Sequence, residues 1–374
     1  MPGNSPLKSF AFSAFAITAL VGASIGVARA SDSSSAFLQR SVTSSTIPAN
    51  GDLNPYGVAF VPDEFPAGGS IQAGDVLVSN FNSIANLQGT GTTIVKLTPN
   101  GVVAPPVAVG TAGNAATFFV SPLNGLSTAL GVLRGGFVIV GNVPTTDGTI
   151  KTLTQGSLQI IDRHGNLVRT LNDAAFLDTP WDLTLNDEGA HAQLYVSNVL
   201  SGTVVRLDLA VSGSDVVVTR STQIGAGYKH EPNAAALVLG PTGLAYDANA
   251  DTLYVASTDD NAIYAIANAR NAAAPVNKGR LVFASSALRG PLALALAPNG
   301  DLLTANGDAV NSDATHPSEI IEFTKSGQFV RQFDVDASQG GAFGIAIALD
   351  DDAKFNFAAI DDVPNVVTAV RVRR

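Results

Sequence analysis

The stretch that most constrains the fold is Gly240–Ala267, because it holds three short apolar runs separated by turn-forming residues. The runs are Gly243–Tyr246, Thr252–Ser257 and Ala262–Ile266, and Asp, Asn and Thr residues lie between them. Connections this short can join only antiparallel strands, since a parallel pair needs a crossover of about a dozen residues or more. Three such strands cannot bury both faces of a sheet alone, so the unit requires neighbours of its own kind.

The opening of this unit recurs along the chain as a small residue or Asp followed by an aliphatic residue, usually just after a proline. The six copies are Pro55–Val58, Leu123–Leu126, Pro180–Leu183, Pro241–Leu244, Pro291–Leu294 and Ala342–Ile345. Their third positions are separated by 68, 57, 61, 50 and 51 residues. Uneven steps of this kind are typical of a repeat whose strands are fixed while its loops vary.

Further strands are predicted to follow each opening. The second strands are Asp75–Asn80, Gly136–Asn142, Gln193–Asn198, Thr252–Ser257, Asp301–Asn306 and Lys354–Ile360. The third strands are Thr92–Leu97, Ser157–Ile161, Thr203–Leu209, Ala262–Ile266, Glu319–Phe323 and Val366–Arg373. The fourth strands are Val102–Val107, Leu167–Leu171, Val216–Ile224, Arg280–Ala284 and Phe329–Val335.

Six units of four strands predict an all-β fold, a six-bladed β-propeller. The last unit shows three strands before the chain ends, whereas Phe37–Ile47 is a strand without a unit. We expect this N-terminal strand to be the outermost strand of the sixth blade, because it would close the ring and cover an open edge. An open solenoid or two β-sandwiches are the alternatives.

Residues 1–30 have the features of a secretory signal peptide. Lys8 precedes the apolar segment Phe10–Val27, and Ala28-Arg29-Ala30 fits a cleavage site. A retained membrane anchor is the alternative interpretation. Cleavage predicts an exported protein, periplasmic or extracellular, whose propeller comprises residues 31–374. No later apolar run approaches membrane-spanning length, so no membrane insertion is expected after cleavage.

Net charge and cysteine content limit the classes of ligand and partner that the chain can bind. The net charge is −10, and removing Lys8 and Arg29 with the leader makes it −12. A field of this sign repels phosphates, so a nucleic-acid partner is not expected, whereas cations, sugars, neutral small molecules and basic peptides are compatible. The chain has no cysteine, which excludes disulfides and thiolate metal sites. We expect a monomer that binds a protein or a small molecule.

The unit Gly240–Ala267, with its G-P-T-G-L-A-Y-D opening and L-Y-V-A-S continuation, resembles NHL-type repeats. Pro180–Leu209 and Pro291–Phe323 match more loosely. The chain also resembles the wider six-bladed group that includes gluconolactonase-like calcium lactonases. NHL-like propellers imply ligand or protein binding more often than catalysis, with peptidyl-hydroxyglycine lyases as an enzymatic exception. The lactonase-like pattern places a glutamate at the opening of the first blade, where Asn54–Gly57 has no acid.

Polar residues recur where the second strands end. Asn80, Asn142, Asn198 and Asn306 occupy equivalent places, and Asp259 and Asp361 follow the fourth and sixth examples. In a propeller these positions surround the central axis at one end, which we term the axial mouth. Converging oxygen atoms suit Ca²⁺ or a polyhydroxylated ligand. The alternative is that each Asn caps its own strand by hydrogen-bonding a turn.

The four histidines divide between the two faces of the predicted propeller. His164 and His191 fall in turns between strands and are expected to be exposed spacers. His230 and His316 fall on the face that carries the axial mouth, where they could act on a substrate or bind a metal. The alternative is that both are surface-loop histidines, since no H-x-H or H-E-x-x-H spacing supports a site. Trp181, the single tryptophan, is expected to pack in the core.

These observations favour an exported propeller that acts as a ligand- or protein-binding module. The competing hypothesis is a calcium-assisted hydrolase, lactonase or lyase at the axial mouth. It would place Asn80, Asn198, Asp259, Asn306 and Asp361 around the ion and use His316 as the acid/base.

Overall fold

Six four-stranded antiparallel sheets make up the computed structural model of the chain. The structure describes residues 38–307, 319–335, 342–348 and 356–372. No helix formed by these residues is long and apolar enough to cross a bilayer. The predicted all-β, six-bladed propeller is confirmed.

The strands follow the chain blade by blade, except that β1 (Leu38–Ser45) belongs to the last blade. Blade 1 comprises β2 (Leu53–Phe60), β3 (Val76–Asn82), β4 (Thr93–Leu97) and β5 (Ala116–Val120). Blade 2 comprises β6 (Leu126–Leu133), β7 (Phe137–Asn142), β8 (Leu158–Asp162) and β9 (Leu167–Leu171). Blade 3 comprises β10 (Pro180–Asp187), β11 (His191–Asn198), β12 (Thr203–Val211) and β13 (Val216–Gly225).

A short hairpin, β14 (Glu231–Asn233) and β15 (Leu237–Leu239), separates blade 3 from blade 4. Blade 4 comprises β16 (Pro241–Asp247), β17 (Thr252–Ser257), β18 (Ala262–Ala267) and β19 (Arg280–Phe283). Blade 5 comprises β20 (Pro291–Leu296), β21 (Leu302–Asn306), β22 (Glu319–Phe323) and β23 (Phe329–Asp334). Blade 6 comprises β24 (Ala342–Ile347), β25 (Phe357–Asp361), β26 (Val366–Val372) and β1.

The ring is closed by the N-terminal strand, as predicted. Strand β1 pairs antiparallel with β26, with Val42 opposite Ala369 and Thr43 opposite Thr368. The two threonine hydroxyls lie 2.9 Å apart, within hydrogen-bonding distance. Because the first strand completes the last sheet, the outer edge of β26 is covered rather than left open.

Neighbouring blades are joined by small and hydroxyl-bearing residues on the first strand of each blade, which is its inner strand, and on the second. A Cβ atom on Gly243 would lie only 2.3 Å from the Leu292 carbonyl oxygen of the next blade. The Ser79 hydroxyl donates to the Ser127 carbonyl at 2.8 Å, and the Ser127 hydroxyl donates to the Pro180 carbonyl at 2.8 Å. Glycine and serine recur here because the inner strands approach too closely for larger side chains.

The predicted start of blade 2 at Leu123–Leu126 is wrong. Strand β6 begins at Leu126, which lies opposite Asn142 as Pro55 lies opposite Asn80. The inner strand of blade 2 therefore has one more residue than the others before regular pairing resumes at Leu130. Gly125 lies in the preceding linker with a φ of +75°, a turn conformation that glycine adopts without strain.

The predicted fourth strand of blade 1, Val102–Val107, is also wrong, because β5 (Ala116–Val120) takes that place. Pro105 and Pro106 lack the N–H groups that a strand would donate. The neighbouring Ala104 instead accepts a backbone hydrogen bond from Ser45 at 2.9 Å, beside the end of β1.

Candidate functional site

Aromatic side chains fill the axial mouth. Tyr56, Phe81, Trp181 and Phe343 belong to one apolar cluster, and each is at most 7% exposed. The Tyr56 ring stacks on Phe81 with centroids 4.4 Å apart and lies 4.7 Å from Phe343. Trp181 packs edge-on against Tyr56 at 5.7 Å. The prediction that Trp181 packs in the core is confirmed.

The inner strands direct these rings to the axis through local irregularities in pairing. The pairing register shifts between Pro55 and Gly57 in β2, between Pro180 and Asp182 in β10, and between Ala342 and Ile345 in β24. Tyr56, Trp181 and Phe343 lie within these three irregularities. A bulge leaves a residue outside the regular ladder and changes the direction of its side chain. In blades 1, 3 and 6 the second position of the opening motif is therefore the one whose side chain reaches the axial mouth.

Residues 143–154 and the hairpin β14–β15 pack against this cluster, and residues 83–92 are hydrogen-bonded to both segments. We term the three segments the axial cap. Leu237 and Val238 of the hairpin are each 2% exposed and pack in the aromatic cluster. Leu237 has a φ of +64°, a strained conformation for a leucine.

Hydrogen bonds join the three parts of the axial cap. The Gln88 side-chain amide donates to the carbonyl of Ala235 at the hairpin tip, at 2.6 Å. The Thr145 hydroxyl donates to the Gln88 carbonyl, so residues 143–154 are joined to residues 83–92. The hairpin tip is shaped by Asn233, whose side-chain oxygen accepts from the Ala235 and Ala236 N–H groups. These bonds hold the axial cap together, and Leu237 and Val238 anchor it to the aromatic cluster.

The four predicted strand-end asparagines make the same kind of contact in their blades. Each side-chain amide donates to a backbone carbonyl in the linker that precedes its own blade. The pairs are Asn80 to Thr46 at 2.9 Å, Asn142 to Asn124 at 3.0 Å, Asn198 to Phe176 at 2.8 Å and Asn306 to Ala287 at 2.9 Å. All four residues are buried. These bonds hold the linkers against the strand ends, and the role of the asparagines as ligands stays a prediction.

The predicted acids and histidines are more scattered. Asp361 is buried and its carboxylate accepts from the Val363 N–H at 3.0 Å, whereas Asp259 is half-buried in the turn after β17. His230 is exposed, and its ring lies beside Gly202. His316 lies outside the described residues. The described ranges contain no group of three or more His, Cys, Asp or Glu side chains placed to hold a metal ion.

The exposure predicted for His164 and His191 is confirmed, but the turn predicted at His191 is wrong. His164 lies in the turn between β8 and β9, and His191 begins β11. Both are exposed.

A carboxylic acid takes the third position of the opening motif in blade 3. Asp182 occupies the motif position that is glycine in blades 1, 4 and 6, and it accepts from the Leu183 N–H at 2.8 Å and the Leu244 N–H at 3.0 Å. The second bond joins blade 3 to blade 4. Desolvation raises the pKa of Asp182 to about 8, against the opposing effect of the two backbone donors. Its neutral form is therefore favoured at pH 7.

A cleft with a different character opens beside the axial cap, over blade 2. It has a volume of about 590 Å³ and is bounded by residues 122–124, residues 142–157 and the end of β9. None of its lining residues is charged, and ten of them carry a hydroxyl or an amide. Of the predicted site residues, Asn142 is the one that lines this cleft.

The base of the cleft is held rigidly by its own hydrogen bonds. The Asn142 side-chain oxygen accepts from the Ser157 N–H at 2.7 Å and from the Ser157 hydroxyl at 2.8 Å. Gly156 has no space for a side chain, since a Cβ atom there would lie 2.0 Å from the Asn142 carbonyl oxygen. Sequence reasoning missed this cleft because its lining comes from loops of unequal length, although Asn142 and the Thr-rich segment 145–154 were visible.

Comparison with known proteins places the fold but not the family. No family model matches the sequence, and no curated protein matches it. A putative oxidoreductase (glucose dehydrogenase) from Thermus thermophilus has a TM-score of 0.54 at 11% identity, covering 88% of this chain and 100% of that one. A gluconolactonase from Xanthomonas campestris has a TM-score of 0.51 at 13% identity, covering 91% and 93%.

A second structure of this kind, a putative gluconolactonase, has a TM-score of 0.50 at 12% identity and covers 92% of this chain and 97% of that one. At these identities the similarity shows the fold alone. The chain is a six-bladed β-propeller, and the predicted likeness to the gluconolactonase-like group is confirmed for its architecture.

Proposed function

We propose that this chain is an exported binding module. It binds its ligand or partner on the face of the propeller that carries the axial mouth and the linkers between blades, and it does not carry out metal-assisted catalysis at its axis. The observation that carries this proposal is the axial mouth itself. It is packed with Tyr56, Phe81, Trp181 and Phe343 and covered by Leu237 of the axial cap. A catalytic site needs a concave space in which substrate meets polar groups.

The alternative is the calcium-assisted hydrolase, lactonase or lyase, which the similarity to structures described as gluconolactonases suggests. Calcium takes six to eight oxygen ligands around a shared space. Here the side-chain oxygens of Asn198 and Asn306 already accept from backbone N–H groups, of Asp178 at 3.0 Å and of Arg289 at 2.9 Å. Of the three strand-end asparagines placed around the ion, Asn80 alone has a side-chain oxygen without a partner among the described residues. Rings rather than carboxylates lie at the axis, so the residues present do not fit this ion.

A calcium titration separates the two functions. We expect the melting temperature of the mature protein to change by less than about 1 °C between excess EGTA and millimolar CaCl₂. A ligand that binds only the folded state at 100 times its Kd stabilises it by about 2.7 kcal/mol, which a melting curve resolves. MgCl₂ serves as the control for ionic strength. A calcium-specific rise of several degrees, together with hydrolysis of a sugar lactone that EGTA abolishes, would contradict the proposal.

Export is tested separately, by expressing the full chain with its own leader. The predicted cleavage after Ala30 gives a secreted or periplasmic protein whose first residue is Ser31. N-terminal sequencing of the processed protein should begin at Ser31. Recovery of the uncleaved chain in the membrane fraction would support the retained anchor instead.

A further inference from the structure

The cleft over blade 2 is uncharged although the chain carries a net charge of −10. Its lining combines threonine, asparagine, glutamine and serine with proline and leucine. Hydroxyl and amide groups both donate and accept, so they suit a ligand whose own groups do both. A charged ligand would be desolvated here without a counter-charge, which is unfavourable.

Several of these polar groups point to solvent and have no partner among the described residues. They comprise the side chains of Asn124, Thr146, Thr154, Thr170 and Asn172, all of which are exposed. Gln155 uses its amide N–H to donate to the Leu177 carbonyl at 3.2 Å. Beneath them, Asn142 and Ser157 are hydrogen-bonded to each other. The cleft therefore has a fixed base and a rim of uncommitted donors and acceptors.

The size of the cleft limits the ligand. Small-molecule sites have volumes of about 300–1,000 Å³, and this cleft has about 590 Å³. Pro122, Leu123 and Pro144 add apolar surface to the lining. That combination suits a ring whose edge carries hydroxyls and whose face carries C–H groups.

We propose that the blade 2 cleft binds a small, neutral, polyhydroxylated molecule of the size of a mono- or disaccharide. This inference rests on the proposed function, because it names the ligand class of the binding face. The rim hydroxyls and amides exchange hydrogen bonds with ligand hydroxyls, while Pro122 and Pro144 contact its C–H faces.

The test uses the intact mature protein and a panel of neutral sugars and polyols that includes glucose, maltose, trehalose and myo-inositol. Binding is measured by saturation-transfer difference NMR and by calorimetry. The double variant Thr154→Val, Thr170→Val removes two rim hydroxyls with little change in shape. Because neither hydroxyl has a partner among the described residues, the melting temperature should not change. Thr117→Val, at an exposed threonine on β5 of blade 1, is the matched control.

We expect at least one sugar or polyol to bind, with about tenfold or greater weakening in the double variant and no change in Thr117→Val. No binding across the panel would overturn the ligand class, as would preferential binding of an uncharged pentapeptide. Binding that the double variant leaves unchanged would overturn the site. Calcium-dependent lactone hydrolysis together with sugar binding lost in the double variant would defeat the proposed function while the cleft inference stood.

Discussion

The axial mouth and the blade 2 cleft lie on the same face of the propeller, yet their chemistry is opposite. At the axis, aromatic rings are buried and the flanking amides of Asn80 and Asn198 are hydrogen-bonded to linkers. In the cleft, Thr154 and Thr170 are exposed, and their hydroxyl groups have no partner among the described residues. The comparison shows that the residues that recur from blade to blade stabilise the ring. Groups available to a ligand lie where the blades differ.

The largest expected effect is at the axis, where Phe81→Ala should lower the free energy of unfolding by about 3–5 kcal/mol. Phe81 is fully buried and its ring contacts both Tyr56 and Trp181. Chemical unfolding measures the change. Val120→Ala, at a side chain 59% exposed on β5, should stay within about 0.5 kcal/mol. A loss below about 1 kcal/mol for Phe81→Ala would mean that the axial mouth is not packed as a core.

The next effect concerns pH, because the half-buried Asp182 carboxylate accepts a hydrogen bond from the inner strand of blade 4. Its folded pKa of about 8 exceeds the usual value of 3.8, so the folded state binds the proton more tightly than the unfolded state. The contribution of Asp182 to stability is therefore fully present below pH ~4 and is lost as the pH rises through about 8. In Asp182→Asn the free energy of unfolding should therefore fall less steeply as the pH rises, by up to about 1.4 kcal/mol per pH unit.

The matched control for that experiment is Asp215, which lies on the surface. The Arg169 guanidinium hydrogen-bonds to the Asp215 carboxylate and lowers its pKa. Asp215→Asn should therefore change the pH dependence only in acid, where the stabilisation from a lowered pKa is lost as the pH falls. Melting curves from pH 4 to pH 9 distinguish the two variants. A slope unchanged by Asp182→Asn would show that this acid is ionised in the folded protein.

A smaller effect on the free energy of unfolding is expected at Gln88, which is hydrogen-bonded both to the hairpin and to Thr145 of the blade 2 cleft. Gln88→Ala removes the hydrogen bond to Ala235 at the hairpin tip and should cost about 0.5–1.5 kcal/mol. Amide hydrogen exchange should become faster in residues 231–239 and remain unchanged in the described strands of blade 5, which lie outside the axial cap. Equal acceleration in both regions would indicate general destabilisation rather than release of the hairpin.

Much of the fold could be predicted, because the apolar runs and the leftover strand at each end repeat with the blades. The errors have local causes. Blade 2 opens without a proline and carries an extra residue before Leu130, so its glycine, Gly125, was matched to the wrong position. Val102–Val107 has the composition of a strand, but its prolines prevent the pairing.

The candidate site was harder to predict than the fold. A strand-end Asn has the same sequence pattern whether its amide binds a ligand or a linker carbonyl, and only coordinates show which partner is near. The aromatic cluster did leave a signal, since Tyr56, Trp181 and Phe343 share the second position of the opening motif. The hairpin Glu231–Leu239 left none, and the blade 2 cleft left only Asn142 and the Thr-rich segment 145–154, because both features arise from loops that do not repeat.

The most direct test of the closed axial mouth uses Trp181, the single tryptophan of the chain. It is 2% exposed in the aromatic cluster beneath the axial cap. Its fluorescence should be blue-shifted in the native protein, almost insensitive to quenching by iodide, and unchanged when calcium is added. A red-shifted emission quenched by iodide as strongly as in the urea-unfolded chain would show an open axial mouth and contradict the account.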